Sequence, residues 1–248
     1  MRSEIQLQSA VVRILQGIIS MCGRFNVIDS PEVRALLDVL GVQLGSFRFT
    51  PDAAPGSTIS IVIDGQEGHQ LTDAIWWLLL DANTLKPNYQ YATFNSRWDK
   101  LNAKGSLAYH PYRNGRCIIP ASAFVEGLGD SETYHKIELE GSAIAFGGLY
   151  KHYVHRDTGE SVYAASIITL GPVPQWQHVH PKSHPLILPT DQPDVLNAWL
   201  DKDNSEVSQF DPLLESRIRT AERITPIGRP SKWNAVGESW VIPADTAG

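Results

Sequence analysis

Residues 57–79 read STISIVIDGQEGHQLTDAIWWLL. Two apolar runs flank Asp64-Gly65, a dipeptide suited to reversing the chain, so the stretch predicts a β-hairpin. Working outward, TYHKIELE (133–140), SAIAFGGLY (142–150) and SVYAASIITL (161–170) predict three more strands. Helical signals are fewer. Ser30-Pro31-Glu32 supplies an N-cap and a proline at the first helical position; Val33, Leu36, Leu37 and Leu40 then share one face, and Gly41 ends the run. QPDVLNAWL (192–200) and VSQFDPLLES (207–216) predict short helices. Many short strands with few helices predict one α+β domain on a curved, barrel-like, mostly antiparallel sheet with short flanking helices. No linker divides it.

The chain has 248 residues, enough for one sizeable core, and is 42% hydrophobic. Its two cysteines, Cys22 and Cys117, stand far apart, which excludes a disulfide scaffold. No CxxC or Cys/His cluster suggests zinc, and no cofactor motif is present. Low cysteine usage predicts a reducing, cytoplasmic setting. No apolar run approaches the roughly 18 residues of a membrane span. A net charge of −6 argues against a nucleic-acid binder that uses its whole surface. Between Lys86 and Arg116, however, six basic residues (Lys86, Arg97, Lys100, Lys104, Arg113, Arg116) face only Asp99. Tyr89, Tyr91, Phe94, Trp98, Tyr109 and Tyr112 lie among them. Cationic groups with interleaved aromatic rings hold single-stranded nucleic acid, although a solvated surface over core aromatics gives the same pattern.

Three stretches carry possible chemistry. In YATFNSRWDKL, Asn95, Arg97 and Asp99 alternate, and an extended chain would point all three to one face. In RCIIPASAFVEG an apolar strand runs into Glu126, and a carboxyl desolvated in such company suits acid-base work. WQHVHPKSHPLILP places His178, His180 and His184 before an apolar strand. No second ligand group accompanies them, so a single catalytic histidine fits better than a metal site.

The N-terminal region poses a separate question. Arg13 and Gln16 interrupt the apolar part of residues 1–20, which does not fit a secretory signal. Either this stretch is a short amphipathic helix packed on the core, or residues 1–21 are an upstream leader and start that the active form lacks. In the second case Met21 initiates, is removed, and leaves Cys22 as the N-terminus of a domain over 22–246.

MCGRF (21–25), Ala54-Pro55-Gly56, Asn95-Ser96-Arg97, RCIIPA with Phe124 and Glu126, and HVHPKSHPLILP (178–189) stand in the order of the motifs of the SOS response-associated peptidase (SRAP) family. The chain resembles that family from Met21 to about Pro189. The resemblance implies an abasic-site processing protein that acts as a monomer on single-stranded DNA, without metal or cofactor, in the cytoplasm at the nucleoid. It also implies the roles: Cys22 as the nucleophile, Asn95 orienting the opened sugar, Glu126 moving protons, and His180 stabilising the sugar hydroxyl. HPKSHP is one residue longer than the common family spacing, so His184 competes with His180. Arg24, Arg97 and Lys182 would hold phosphates. Trp76 and Trp77 would be wedges or stacking platforms, or else hairpin core. Cys117 reads as core. The chain departs from the family at Gly127, where tryptophan is frequent, at Ser122-Ala123 in place of Asp-Gly, and at Asp52 in place of asparagine. A thiol peptidase or N-terminal-nucleophile hydrolase is the alternative activity.

Overall fold

The structure, a computed structural model, describes residues 23–246. Its strands are β1 (Arg24–Val27), β2 (Thr50–Ala53), β3 (Thr58–Asp64), β4 (His69–Ile75), β5 (Asn95–Arg97), β6 (Arg116–Ala121), β7 (Ala123–Gly127), β8 (Tyr134–Leu139), β9 (Ile144–Val154), β10 (Ser161–Leu170), β11 (His184–Pro185), β12 (Glu222–Ile227) and β13 (Trp240–Ile242). Three α-helices join them: α1 (Pro31–Val39), α2 (Tyr109–Asn114) and α3 (Pro193–Leu200).

The quoted hairpin is β3 and β4, in register from Thr58↔Ile75 to Asp64↔His69. Its connection is a four-residue loop, 65–68, in which the Gly65 N–H donates to the Gly68 carbonyl at 2.8 Å. Gly68 has φ +114°, a conformation that favours glycine. The hairpin lies inside a closed five-stranded barrel with the order β10-β4-β3-β6-β9, completed by β9 pairing with β10. Pairing is antiparallel except where β10 runs beside β4 and β5. A second, antiparallel sheet has the order β13-β12-β8-β7-β1-β2. The chain is thus a single α+β domain with one hydrophobic core.

RCIIPASAFVEG is two strands rather than one. β6 belongs to the barrel and β7 to the second sheet, and the chain turns the corner at Ser122. The Ser122 N–H donates to the Asn26 carbonyl at 2.8 Å, and its Oγ accepts from the Ile28 N–H at 2.9 Å. Both sheets pack on this segment, which is why its apolar run shows no alternation. In α1, the Ser30 Oγ accepts from the Val33 N–H at 3.3 Å, and Gly41 follows with φ +67°. Residues 207–214 form a 3-10 helix around Pro212, whose missing N–H does not suit an α-helix interior.

Arg116, one of the six basic residues between 86 and 116, is a core residue. Its guanidinium donates to the carbonyls of Tyr112 (2.9 Å) and Arg113 (2.8 Å) at the end of α2. It also donates to Trp199 (2.6 Å), Asp201 and Asn204 (2.9 Å) at and beyond the end of α3. Helix C-termini leave carbonyls without intrahelical donors, and one cation here satisfies two of them at once. Arg116→Met is therefore expected to cost about 3–5 kcal/mol in urea unfolding. A loss under about 1 kcal/mol would mean that water replaces the guanidinium.

Candidate active site

Glu126 sits near the end of β7 and is buried. β1 flanks it on one side, with Arg24↔Val125 and Phe25↔Phe124 in register. Continued by one residue, that register sets Gly23 across from Glu126. Cys22 lies outside the described residues, one peptide bond before Gly23. On the other side β8 places His135 directly opposite Glu126.

His180 reaches the same place from a turn after β10. Its N–H donates to the Trp176 carbonyl at 2.8 Å, and its Nδ1 lies 2.6 Å from the Gly127 carbonyl and 3.7 Å from Glu126 Oε2. A carbonyl only accepts, so Nδ1 carries the hydrogen and Nε2 of the neutral ring keeps its lone pair. Nε2 is buried and has no hydrogen-bond partner among the described residues. Burial pushes the His180 pKa below its ordinary value; the Gly127 carbonyl opposes this and Lys182 adds to it. The result is a neutral acceptor beside a carboxyl.

His184 belongs elsewhere. Its Nε2 lies 2.9 Å from Glu222 Oε1, while Trp176 Nε1 donates to Glu222 Oε2 at 2.7 Å. Of the two competing histidines, only His180 meets Glu126. His135 was missed in the sequence. It is buried, and desolvation pushes its pKa down against the Val179 carbonyl beside its ring. The signal was its phase: His135 shares alternation with Ile137 and Leu139, both buried.

Asn95 lies half-buried on β5, opposite Ile167 of β10. Arg97 is exposed on the same strand, but the strand ends there, so Asp99 does not share the predicted face. Asp99 instead sits in a 3-10 turn and reaches back to Arg97, accepting at 2.9 and 3.0 Å. Arg24 is likewise ion-paired, to Asp52, which also accepts from Trp233 Nε1 at 3.2 Å. Lys182 is exposed. Trp76 and Trp77 are 0% and 2% exposed, and their indoles donate to the carbonyls of Phe94 and Asn88. They are hairpin core and offer no ring face to a ligand. Arg113 covers the Tyr109 ring at 3.8 Å and donates to the Leu101 and Tyr109 carbonyls. Of the six basic residues between 86 and 116, Lys86, Arg97, Lys100 and Lys104 remain exposed. The Tyr134 ring lies 3.1 Å from the Cβ position of Gly127, so it occupies the space a side chain there would need.

Because Asp99 engages Arg97, Asp99→Asn is expected to strengthen single-stranded DNA binding several-fold and steepen its salt dependence. Arg97→Ala should flatten the slope by about 0.7 for each phosphate that goes unneutralised. Fluorescence anisotropy across a salt series reads both, and identical slopes in all three proteins would remove Arg97 from the phosphate-binding set.

Asp64, Asp201 and Asp203 lie close enough together to suggest a cation site, but Lys202 Nζ already sits 3.3 Å from Asp64 and 3.1 Å from Asp203. No helix among the described residues is long and apolar enough to cross a membrane.

The fold and the site define a single-domain α+β protein with a carboxyl–imidazole pair buried beside its first strand. The chain belongs to the SOS response associated peptidase (SRAP) family, whose model matches residues 21–229. That membership ties it to the response to DNA damage. Its fold is shared with a protein of Bordetella bronchiseptica at 15% identity, covering 78% of this chain and 93% of that one with a TM-score of 0.61. A protein of Bacteroides thetaiotaomicron is similar at 19% identity, covering 78% and 86% with a TM-score of 0.58. A phage-related protein of Bordetella bronchiseptica is similar at 17% identity, covering 86% and 99%, also with a TM-score of 0.58. At these identities the likeness is one of fold. No curated protein matches the chain.

Proposed function

We propose that the active protein begins at Cys22 and forms a thiazolidine crosslink with abasic sites in single-stranded DNA. One observation carries this reading beyond family membership. The strand that opens two residues after Cys22 pairs with the strand bearing Glu126, next to the neutral imidazole of His180. The register of β1 with β7, continued past Arg24, supports a reading in which an N-terminal cysteine works beside the buried pair of Glu126 and His180. The family match opening at Met21 fits the same start.

The chemistry follows from the groups. A free α-amine has an ordinary pKa of ~7.7–8.0, so part of it is neutral at cellular pH. The neutral amine adds to the C1′ aldehyde of the opened deoxyribose. The carbinolamine then loses one water and becomes an imine. The Cys22 sulfur adds to the imine carbon, its proton passes to nitrogen, and the five-membered ring closes. Glu126 delivers a proton to the departing hydroxyl and takes one from the amine. His180 Nε2 accepts a hydrogen bond from the opened sugar's hydroxyl, and Asn95 orients the sugar. Arg24, Arg97 and Lys182 contact phosphates, which position the strand without reading its sequence.

Intact mass spectrometry tests this. Protein expressed from Met21 should have the mass of a chain starting at Cys22. With an abasic oligonucleotide it should gain the oligonucleotide's mass less one water. A retained Met21, or no adduct, would overturn the proposal.

A further inference from the structure

Seven tryptophans lie among the described residues, and five of them donate their indole N–H to a protein acceptor. Trp98 and Trp240 donate to none among the described residues, and they are 47% and 40% exposed. A large apolar ring left at the surface with its polar edge unused is available to a ligand that has both a flat face and acceptors.

Their places in the fold are related. Trp98 follows Arg97 directly and Asn95 by three residues, at the end of β5. Its indole lies over the backbone of Gly171, where an added Cβ would stand 3.8 Å from Nε1. Gly171 begins the connection that leaves β10 and leads to His180. The far end of that connection, Val179, lies against His135, whose ring meets Trp240 edge-on at 5.5 Å. The segment that delivers His180 therefore starts at the Trp98 indole and ends against His135, the residue whose ring meets Trp240. Exposed cations accompany each end: Arg97 and Lys100 next to Trp98, and Lys182 two residues after His180.

We propose that Trp98 and Trp240 are two stacking platforms for nucleobases, one on each side of the abasic nucleotide. The proposal rests on the function proposed above. A lesion without a base offers the protein no ring to hold, so the ordered neighbours must be gripped instead. Base–aromatic stacking supplies that grip without sequence preference, because every base has a π-face. It also complements Arg24 and Arg97, whose charges are shared with Asp52 and Asp99.

The test uses single-stranded oligonucleotides with one stable tetrahydrofuran abasic analogue. In one, thymines flank it; in the other, further tetrahydrofuran spacers do, so the phosphates are unchanged and the bases are gone. Binding is measured for the full chain and for the form begun at Met21. The parent is expected to bind the thymine-flanked strand about tenfold or more tighter for each base gripped. Trp98→Ala and Trp240→Ala should each lose about tenfold on that strand and nothing on the spacer-flanked strand. Trp98→Phe and Trp240→Phe should keep most of the affinity. Alanine variants that bind both strands like the parent would overturn the platforms while leaving the crosslink intact. So would an equal loss on both strands, since that effect does not depend on bases. A parent that binds neither strand in either form would instead refute the proposed function.

Discussion

Cys22→Ala is expected to eliminate the heat-stable adduct with abasic single-stranded DNA, the largest effect of any substitution, because it removes the thiol that closes the ring in the proposed reaction. Cys22→Ser should keep an imine through the amine but form no thiazolidine, so its adduct should dissociate on heating. Cys117→Ala should leave the yield unchanged. The Cys117 side chain is fully buried in β6, and burial pushes its thiol pKa up, which leaves almost no thiolate to attack anything. Its Sγ lies 2.9 Å from the Cβ position of Gly148, its register partner on the neighbouring strand β9. Acetylating the α-amine of a chain begun at Cys22 should also abolish the adduct, whereas a thiol hydrolase needs only the sulfur and would survive. Denaturing gels after heating read all four proteins. Equal yields from Cys22→Ala and the parent would end the assignment.

Much of the architecture was legible in the sequence because local signals agreed with tertiary demand. The β3–β4 hairpin and the capped start of α1 formed where apolar runs and turn chemistry placed them. The features that could not be read depend on distant partners. Nothing local marks Ser122 as a corner between two sheets, since its hydrogen bonds go to β1 and the residue after it. A charged Arg116 reads as surface until two helix C-termini are seen to converge on it. Asp99 left the predicted face because the chain turns after Arg97, yet its carboxylate returned to Arg97 through space. The site divides in the same way. The burial of Glu126 could be read from its apolar neighbours, whereas only three dimensions show that His180 lies near Glu126 while His184 pairs with Glu222. His135 belonged to the strand pattern and was passed over because a strand histidine resembles any other polar residue until its register with Glu126 is known.

Glu126→Gln carries the second large effect. The amide keeps the shape of the carboxyl and removes its titration, so single-turnover crosslinking should slow by ~10²–10⁴-fold, the usual contribution of a positioned acid-base group. DNA affinity should stay nearly intact, since Glu126 is buried and faces His180 at 3.7 Å. Asp99→Asn, an exposed change of the same kind, should alter the rate far less. His180 sets the expected pH behaviour. Its folded pKa lies below the ordinary 6.5, so the ring stays neutral, and Nε2 stays an acceptor, at pH values where a free histidine is already half charged. The acid limb due to His180 should therefore fall below pH 6.5. Stability carries the same sign: the contribution of neutral His180 is complete above 6.5 and is lost as pH falls through the lowered folded value. His180→Gln should remove that limb and slow the reaction as well, because an amide held at Gly127 no longer presents an imidazole lone pair to the sugar. If Glu126→Gln matches the parent from pH 5 to 9, Glu126 only shapes the end of β7, and the proton transfers fall to His180 alone.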